Sequence, residues 1–211
     1  MKVQRIGFRS GYQSLDGLVS IPSGNFSKGP GIVICNMHPI LGGNLESYLV
    51  KNMSSILAVN GIASLRFNFG TLQSGDTDFM EAMEKDITSA VKTLKDWPGI
   101  GKNKVGLAGI SMGSNVILNN LTTFNDLKGV FMGCPSVNVL RRSSLSNFKP
   151  QTLFMVGDQD KFVSSVDLNN EIMKINMSQL EIVEGADHTW TGFEDVLAKK
   201  VTDFFTEVFS V

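Results

Sequence analysis

The run Gly109-Ile110-Ser111-Met112-Gly113 has the form G-x-S-x-G and stands where an apolar stretch, 104–109, gives way to a segment with helical character. A serine on a sharp strand-to-helix turn is held with its hydroxyl exposed, and small neighbours let the turn approach adjacent elements. A phosphate-cradling loop fits less well, because a P-loop needs G-x-x-x-x-G-K-[ST] and no lysine stands at this turn. A serine hydroxyl attacks poorly unless a positioned base takes its proton, and a carboxylate commonly holds that base in the correct tautomer. The chain has only two histidines, His38 and His188. His188 closes Gly185-Ala186-Asp187-His188. The carboxylates near strand ends are Asp158 and Asp160, in Gly157-Asp158-Gln159-Asp160-Lys161-Phe162-Val163, and Asp187 beside the histidine.

These residues lie far apart in sequence, so the elements between them must bring them together. Short runs rich in Val, Ile, Leu and Phe recur at 31–36, 62–67, 104–109, 128–133, 151–157 and 179–185, and they read as buried strands. Helical spacing separates them. Leu45, Leu49, Met53, Ile56 and Leu57 share one face, as do Phe79, Met83, Ile87, Val91 and Leu94. Further helices are expected after Ser111, through 163–175, and over the segment carrying Phe193, Leu197, Val201, Phe204 and Val208. Such alternation predicts a mostly parallel sheet with helices on both faces, because parallel strands need crossovers that are usually helical. The first thirty residues instead predict an antiparallel pair feeding the sheet edge, punctuated by Pro22, Gly24, Gly29 and Pro30. In such a sheet the carboxyl ends of the strands lie along one edge, where ligand sites form. The serine, the histidine and the acids all follow strand ends.

Composition narrows the function classes. The 211 residues suit a single domain, 1–211, with no separate lid domain in 134–150. Lys plus Arg number 19 against 20 Asp plus Glu, so the net charge of −1 supplies no field for nucleic acid or an anionic membrane. No run has the length of a bilayer span, the start MKVQRIGF has no apolar signal region, and a cytoplasmic location is the expectation. Two cysteines, Cys35 and Cys134, are too few for a disulfide framework or a four-thiolate zinc site and read as reduced core thiols. No metal or cofactor is expected. The expected partner is a small molecule.

The motifs and their order resemble the α/β-hydrolase superfamily, over nearly the whole chain, and most of all its compact, lidless esterase-like and dienelactone-hydrolase-like members. The resemblance implies the order Ser111, Asp160, His188 for nucleophile, acid and base. The family's G-x-x-D-x-x-V loop puts the acid at Asp160, leaving Asp158 and Asp187 to bond their own loops. It also implies an oxyanion hole with one donor from the N–H of Met112. The second comes from the loop Met37-His38-Pro39-Ile40-Leu41-Gly42-Gly43-Asn44. Pro39 has no N–H, so Ile40 is the candidate and Leu41 the fallback and pocket neighbour. His38 precedes the serine, against the family order, and reads as a loop brace.

Arg66-Phe67-Asn68-Phe69-Gly70 resembles an R-F-N-F-R-G stretch of related hydrolases, with Gly70 where they carry a second arginine; Arg66 and Asn68 read as loop braces. Trp190 either walls the acyl pocket or sits at a helix entrance, where Thr191-Gly192-Phe193-Glu194 has capping-box spacing. Arg141 and Arg142 read as solvated surface charges. The reaction these residues imply is two-step acyl transfer from a small carboxylic ester. A thioester, lactone or small amide, an acyltransferase, and a non-catalytic binding protein of the same fold are the alternatives.

Overall fold

The protein is described here by a computed structural model covering residues 1–71, 79–143, 145, 147–175 and 178–210. The first two strands, β1 (Lys2–Ser10) and β2 (Gln13–Ile21), pair antiparallel. They are joined by a two-residue turn in which Gly11 takes a positive φ. β2 then pairs antiparallel with β4 (Ala63–Phe67), docking the hairpin on the edge of a parallel array. That array runs through β3 (Gly29–Cys35), β5 (Ile100–Ile110), β6 (Gly129–Gly133), β7 (Gln151–Gly157) and β8 (Ser178–Val183). The eight-stranded order is β1-β2-β4-β3-β5-β6-β7-β8.

Every residue of β4 and of β6 is buried, as expected for strands covered on both faces. Two helices, α1 (Tyr48–Val59) and α6 (Glu194–Ser210), lie against each other. The other face carries α2 (Phe79–Lys95), α3 (Met112–Asn119), α4 (Val137–Arg142) and α5 (Ser165–Ile172), each packed on the next. In α2 the buried residues Met83, Ile87, Ala90, Val91 and Leu94 form the apolar stripe that helical spacing predicts. Ser164 caps α5, its hydroxyl accepting the Asp167 N–H.

After β3 the chain turns one way to β4 and then crosses back to β5 on the other side of β3. The strand order therefore reverses between β3 and β5, and a crevice opens beyond their carboxyl ends. The loop after β3 and the turn after β5 border that crevice. The loops after β7 and β8 lie farther along the same edge.

The expected α/β architecture, with N-terminal antiparallel strands and no large lid, is the one observed. α4 had no counterpart in the sequence reading. The capping box at 191–194 does not form: Phe193 carbonyl accepts the Leu197 N–H, and the Thr191 hydroxyl bonds that of Thr189.

Candidate active site

Ser111 stands between the last residue of β5 and the first of α3, at φ 52° and ψ −106°. A non-glycine residue at positive φ costs on the order of 1–3 kcal/mol, so the surroundings must hold it there. They do so from β6: the Gly133 carbonyl accepts both the Ser111 N–H, at 2.7 Å, and the Ser114 hydroxyl, at 2.9 Å. The flanking glycines answer to close approach. A Cβ on Gly113 would lie 2.4 Å from the Cys35 carbonyl oxygen, and one on Gly109 would meet the Ser114 nitrogen at 2.7 Å. The first turn of α3 is thereby pressed against the end of β3.

The acid and base loops are stitched to each other before they reach the serine. Asp158 N–H donates to the Val183 carbonyl and Gln159 N–H to that of Ala186, while the Asp158 carboxylate accepts the Gly185 N–H at 2.7 Å. A Cβ on Gly157 would fall 1.9 Å from the Ala186 carbonyl oxygen, so the two loops can meet only over a glycine. Asp187 turns its carboxylate back to the Thr189 and Thr191 N–H groups. Asp187 thus serves its own loop as expected, whereas Asp158, expected to do the same, instead ties the acid loop to the base loop.

Asp160, His188 and Ser111 form one hydrogen-bonded chain. Ser111 Oγ lies 2.8 Å from His188 Nε2, and His188 Nδ1 lies 2.7 Å from Asp160 Oδ2. An ionised carboxylate can only accept, so Nδ1 carries the proton and Nε2 is left to accept from the serine hydroxyl. The other carboxylate oxygen, Oδ1, accepts the Phe162 and Val163 N–H groups at 2.8 and 2.9 Å. Burial alone pushes the Asp160 carboxyl up; His188 and the two backbone donors outweigh it and hold the pKa below the ordinary aspartate value. The Asp160 side chain is fully buried and that of His188 nearly so.

Cys134, at φ 48° just past β6, completes the wall behind the acid. Its sulfur, an Asp160 oxygen and a His188 nitrogen lie within 4.8 Å of one another. Burial, and then the Asp160 charge, push its thiol well above the ordinary value, so sulfur stays protonated and inert. His188 Nδ1 and Asp160 Oδ2 are already bonded to each other, so the cluster holds a proton rather than presenting open metal ligands.

The loop after β3 departs from expectation in its donors. Ile40 N–H donates to His38 Nδ1 at 3.1 Å, and Leu41 N–H to the His38 carbonyl at 2.8 Å, closing the short 3-10 turn Pro39–Leu41. Both N–H groups are thus engaged within the turn as the loop stands. The physical reason is local: proline at the head of a one-turn helix leaves the next N–H groups to be satisfied by the residue before it. His38 is accordingly a brace. Arg66 and Asn68 hold the same loop from beneath. Arg66 Nε donates to the Leu45 carbonyl at 2.7 Å, and Asn68 Oδ1 accepts the Leu45 N–H at 2.7 Å. The Gly70 N–H donates to the buried Asp86 carboxylate. A cavity of about 200 Å³, lined by Asn36, Met37, Phe67 and Phe69 among others, borders this loop.

Trp190 is no pocket wall. It is 0% exposed, at φ 62° in the turn before α6, and a side chain without surface cannot contact a substrate. The aromatic ring beside the base is Phe162, its centroid 4.9 Å from that of the His188 imidazole. The signal for it lay in the acid loop, where an apolar residue follows Asp160 by two positions. Arg141 pairs with Glu171 on the surface at 2.8 Å.

Comparison with known proteins agrees with this fold. A family model described as "Alpha/beta hydrolase domain" matches residues 41–199. Protein RP471 of Rickettsia prowazekii, uncharacterised, is 23% identical over 193 residues, 85% of this chain and 79% of that protein. Among solved structures, ATU1826 of Agrobacterium tumefaciens superposes with a TM-score of 0.83 at 22% identity, covering 96% of this chain and 95% of that one. XC6422 of Xanthomonas campestris, a serine hydrolase without a lid, superposes at 0.79 with 18% identity over 98% of this chain and 94% of its own. With its strand order, its serine at the turn after β5 and a family match over three quarters of its length, this chain belongs to the alpha/beta hydrolase family.

Proposed function

We propose that this protein is a serine hydrolase that cleaves small carboxylic esters through an acyl-enzyme on Ser111. The observation that carries the reading is the unbroken chain Ser111 Oγ, His188 Nε2, His188 Nδ1, Asp160 Oδ2, with spacings of 2.8 and 2.7 Å. In the first step Ser111 Oγ attacks the ester carbonyl carbon while His188 Nε2 takes the hydroxyl proton. Asp160 holds the imidazole and stabilises its charge. The tetrahedral oxygen then needs donors that are already in place. Met112 N–H is the one that needs no rearrangement: it follows the nucleophile and opens α3, where the first N–H groups have no partner within the helix and the helix dipole favours negative charge. Ile40 N–H serves as the second only after leaving His38 Nδ1. His188 next gives its proton to the departing alcohol oxygen, and in the second step it activates a water that releases the acid.

The test is covalent. A fluorophosphonate is expected to add a single phosphonyl group, located on Ser111 by peptide mass spectrometry, and to leave Ser111→Ala unmodified. Failure to label folded wild-type protein contradicts the reading.

A further inference from the structure

Phe162 stands out among the aromatic residues of the site because it is 74% exposed, while its ring packs edge-on against an imidazole that is almost completely buried. The backbone that carries the ring is fixed: the Phe162 N–H donates to Asp160 Oδ1 at 2.8 Å, and the N–H of Val163 to the same oxygen. The interplanar angle of 63° at a centroid distance of 4.9 Å is an edge-to-face contact. That leaves most of the ring bare to solvent at the rim of the site. On the other side of Ser111, on the loop from β3, the exposed apolar residue is Ile40, 86% exposed. In sheet order, β3 and the acid-bearing β7 lie on opposite sides of β5. A substrate carbonyl held at Ser111 therefore has one substituent towards Ile40 and the other towards His188 and Phe162.

Chemistry decides which substituent goes where. When the tetrahedral intermediate collapses, the acyl C–O bond breaks and the His188 Nε2 proton passes to the departing oxygen. The leaving group must then lie next to the imidazole, and hence next to Phe162. We propose that Phe162 is a specificity-determining residue that selects esters of apolar, aromatic alcohols by stacking on their leaving group. The inference rests on the acyl-transfer reading of the site. An aryl leaving group covers the bare ring face of Phe162, whereas a compact aliphatic one of equal acidity does not reach it; the contact costs little order because the backbone that carries the ring is already fixed.

The experiment compares two acetate esters with the same acyl group and leaving alcohols of similar acidity, phenol and hexafluoroisopropanol. Wild type, Phe162→Ala and Phe162→Leu are assayed for kcat/KM on both, and each is labelled with a fluorophosphonate in parallel. The expected result is that the ratio of phenyl to hexafluoroisopropyl kcat/KM falls about fivefold to tenfold in Phe162→Ala, with Phe162→Leu between. A ratio that stays constant overturns the inference, whether both esters keep their rates or lose them equally; an equal loss assigns Phe162 to holding the imidazole instead. Labelling separates the two levels of the argument. Ser111 labelled with an unchanged ratio sinks only the leaving-group assignment, while wild-type protein that neither labels nor turns over either ester sinks the acyl-transfer reading beneath it.

Discussion

At the scale of single residues the site is a hydrogen-bonded path whose two ends are anchored by backbone groups outside it. Ser111 is held by Gly133, Asp160 by two backbone donors, and His188 between them. Replacing Asp160 with Asn leaves the shape but allows the wrong imidazole tautomer, and kcat is expected to fall about 10³–10⁴-fold with the fold intact, as steady-state kinetics and circular dichroism will show. The same carboxylate carries a pH signature. Its folded pKa lies below its unfolded value, so its contribution to stability is present above the ordinary aspartate range and is lost as pH falls through the folded pKa. Thermal melts of wild type and Asp160→Asn are therefore expected to converge as pH is lowered below about 4. A gap that stays constant with pH contradicts this. That Ser111, His188 and Asp160 meet was legible in the sequence, the first two from residue type and order and the third from the likeness of its loop to the family's. The internal bonding of the β3 loop and the burial of Trp190 were not legible. Whether an N–H points inward depends on how a turn closes, and whether a tryptophan faces a pocket depends on what packs over it; neither is written in the type or spacing of residues.

At the scale of elements the site depends on close approaches that only glycine permits. Gly113→Ala forces a methyl to 2.4 Å from the Cys35 carbonyl and must push α3 off β3. A destabilisation of about 1–3 kcal/mol is expected by urea denaturation, together with a loss of activity larger than the stability change explains, since the nucleophile moves with the helix. Gly157→Ala acts at the other pair of loops, spreading the acid from the base where Ala186 closes over it. Its expected effect is a fall in kcat with a smaller change in KM, read from the same ester assay. The central strands and the long helices α1, α2 and α6 were legible because each carries an apolar pattern over a buried strand or several turns, whereas β8, expected as a buried strand, has no fully buried residue. α4 was not, for its six residues bury only Leu140 and offer no period to detect. The cap at 191–194 was misread because its threonine spends its hydroxyl on Thr189.

At the scale of the whole molecule, one eight-stranded sheet gathers residues 111, 160 and 188 onto a single edge, and the reversal of strand order beside β5 places Ser111 at the crevice. Among the described residues no helix is long and apolar enough to cross a membrane. The net charge of −1 leaves little long-range field, so turnover of a neutral ester is expected to change less than twofold between low and physiological salt, a range over which a charge-steered enzyme changes strongly. The central claim is that Ser111 is the nucleophile of an acyl transfer. It is tested most directly by a stopped-flow time course of p-nitrophenyl acetate with wild type and Ser111→Ala. Wild type is expected to release p-nitrophenol and the variant to be slower by about 10³-fold or more, with a residue of rate from the oxyanion donors and binding alone. Undiminished turnover by Ser111→Ala would contradict it.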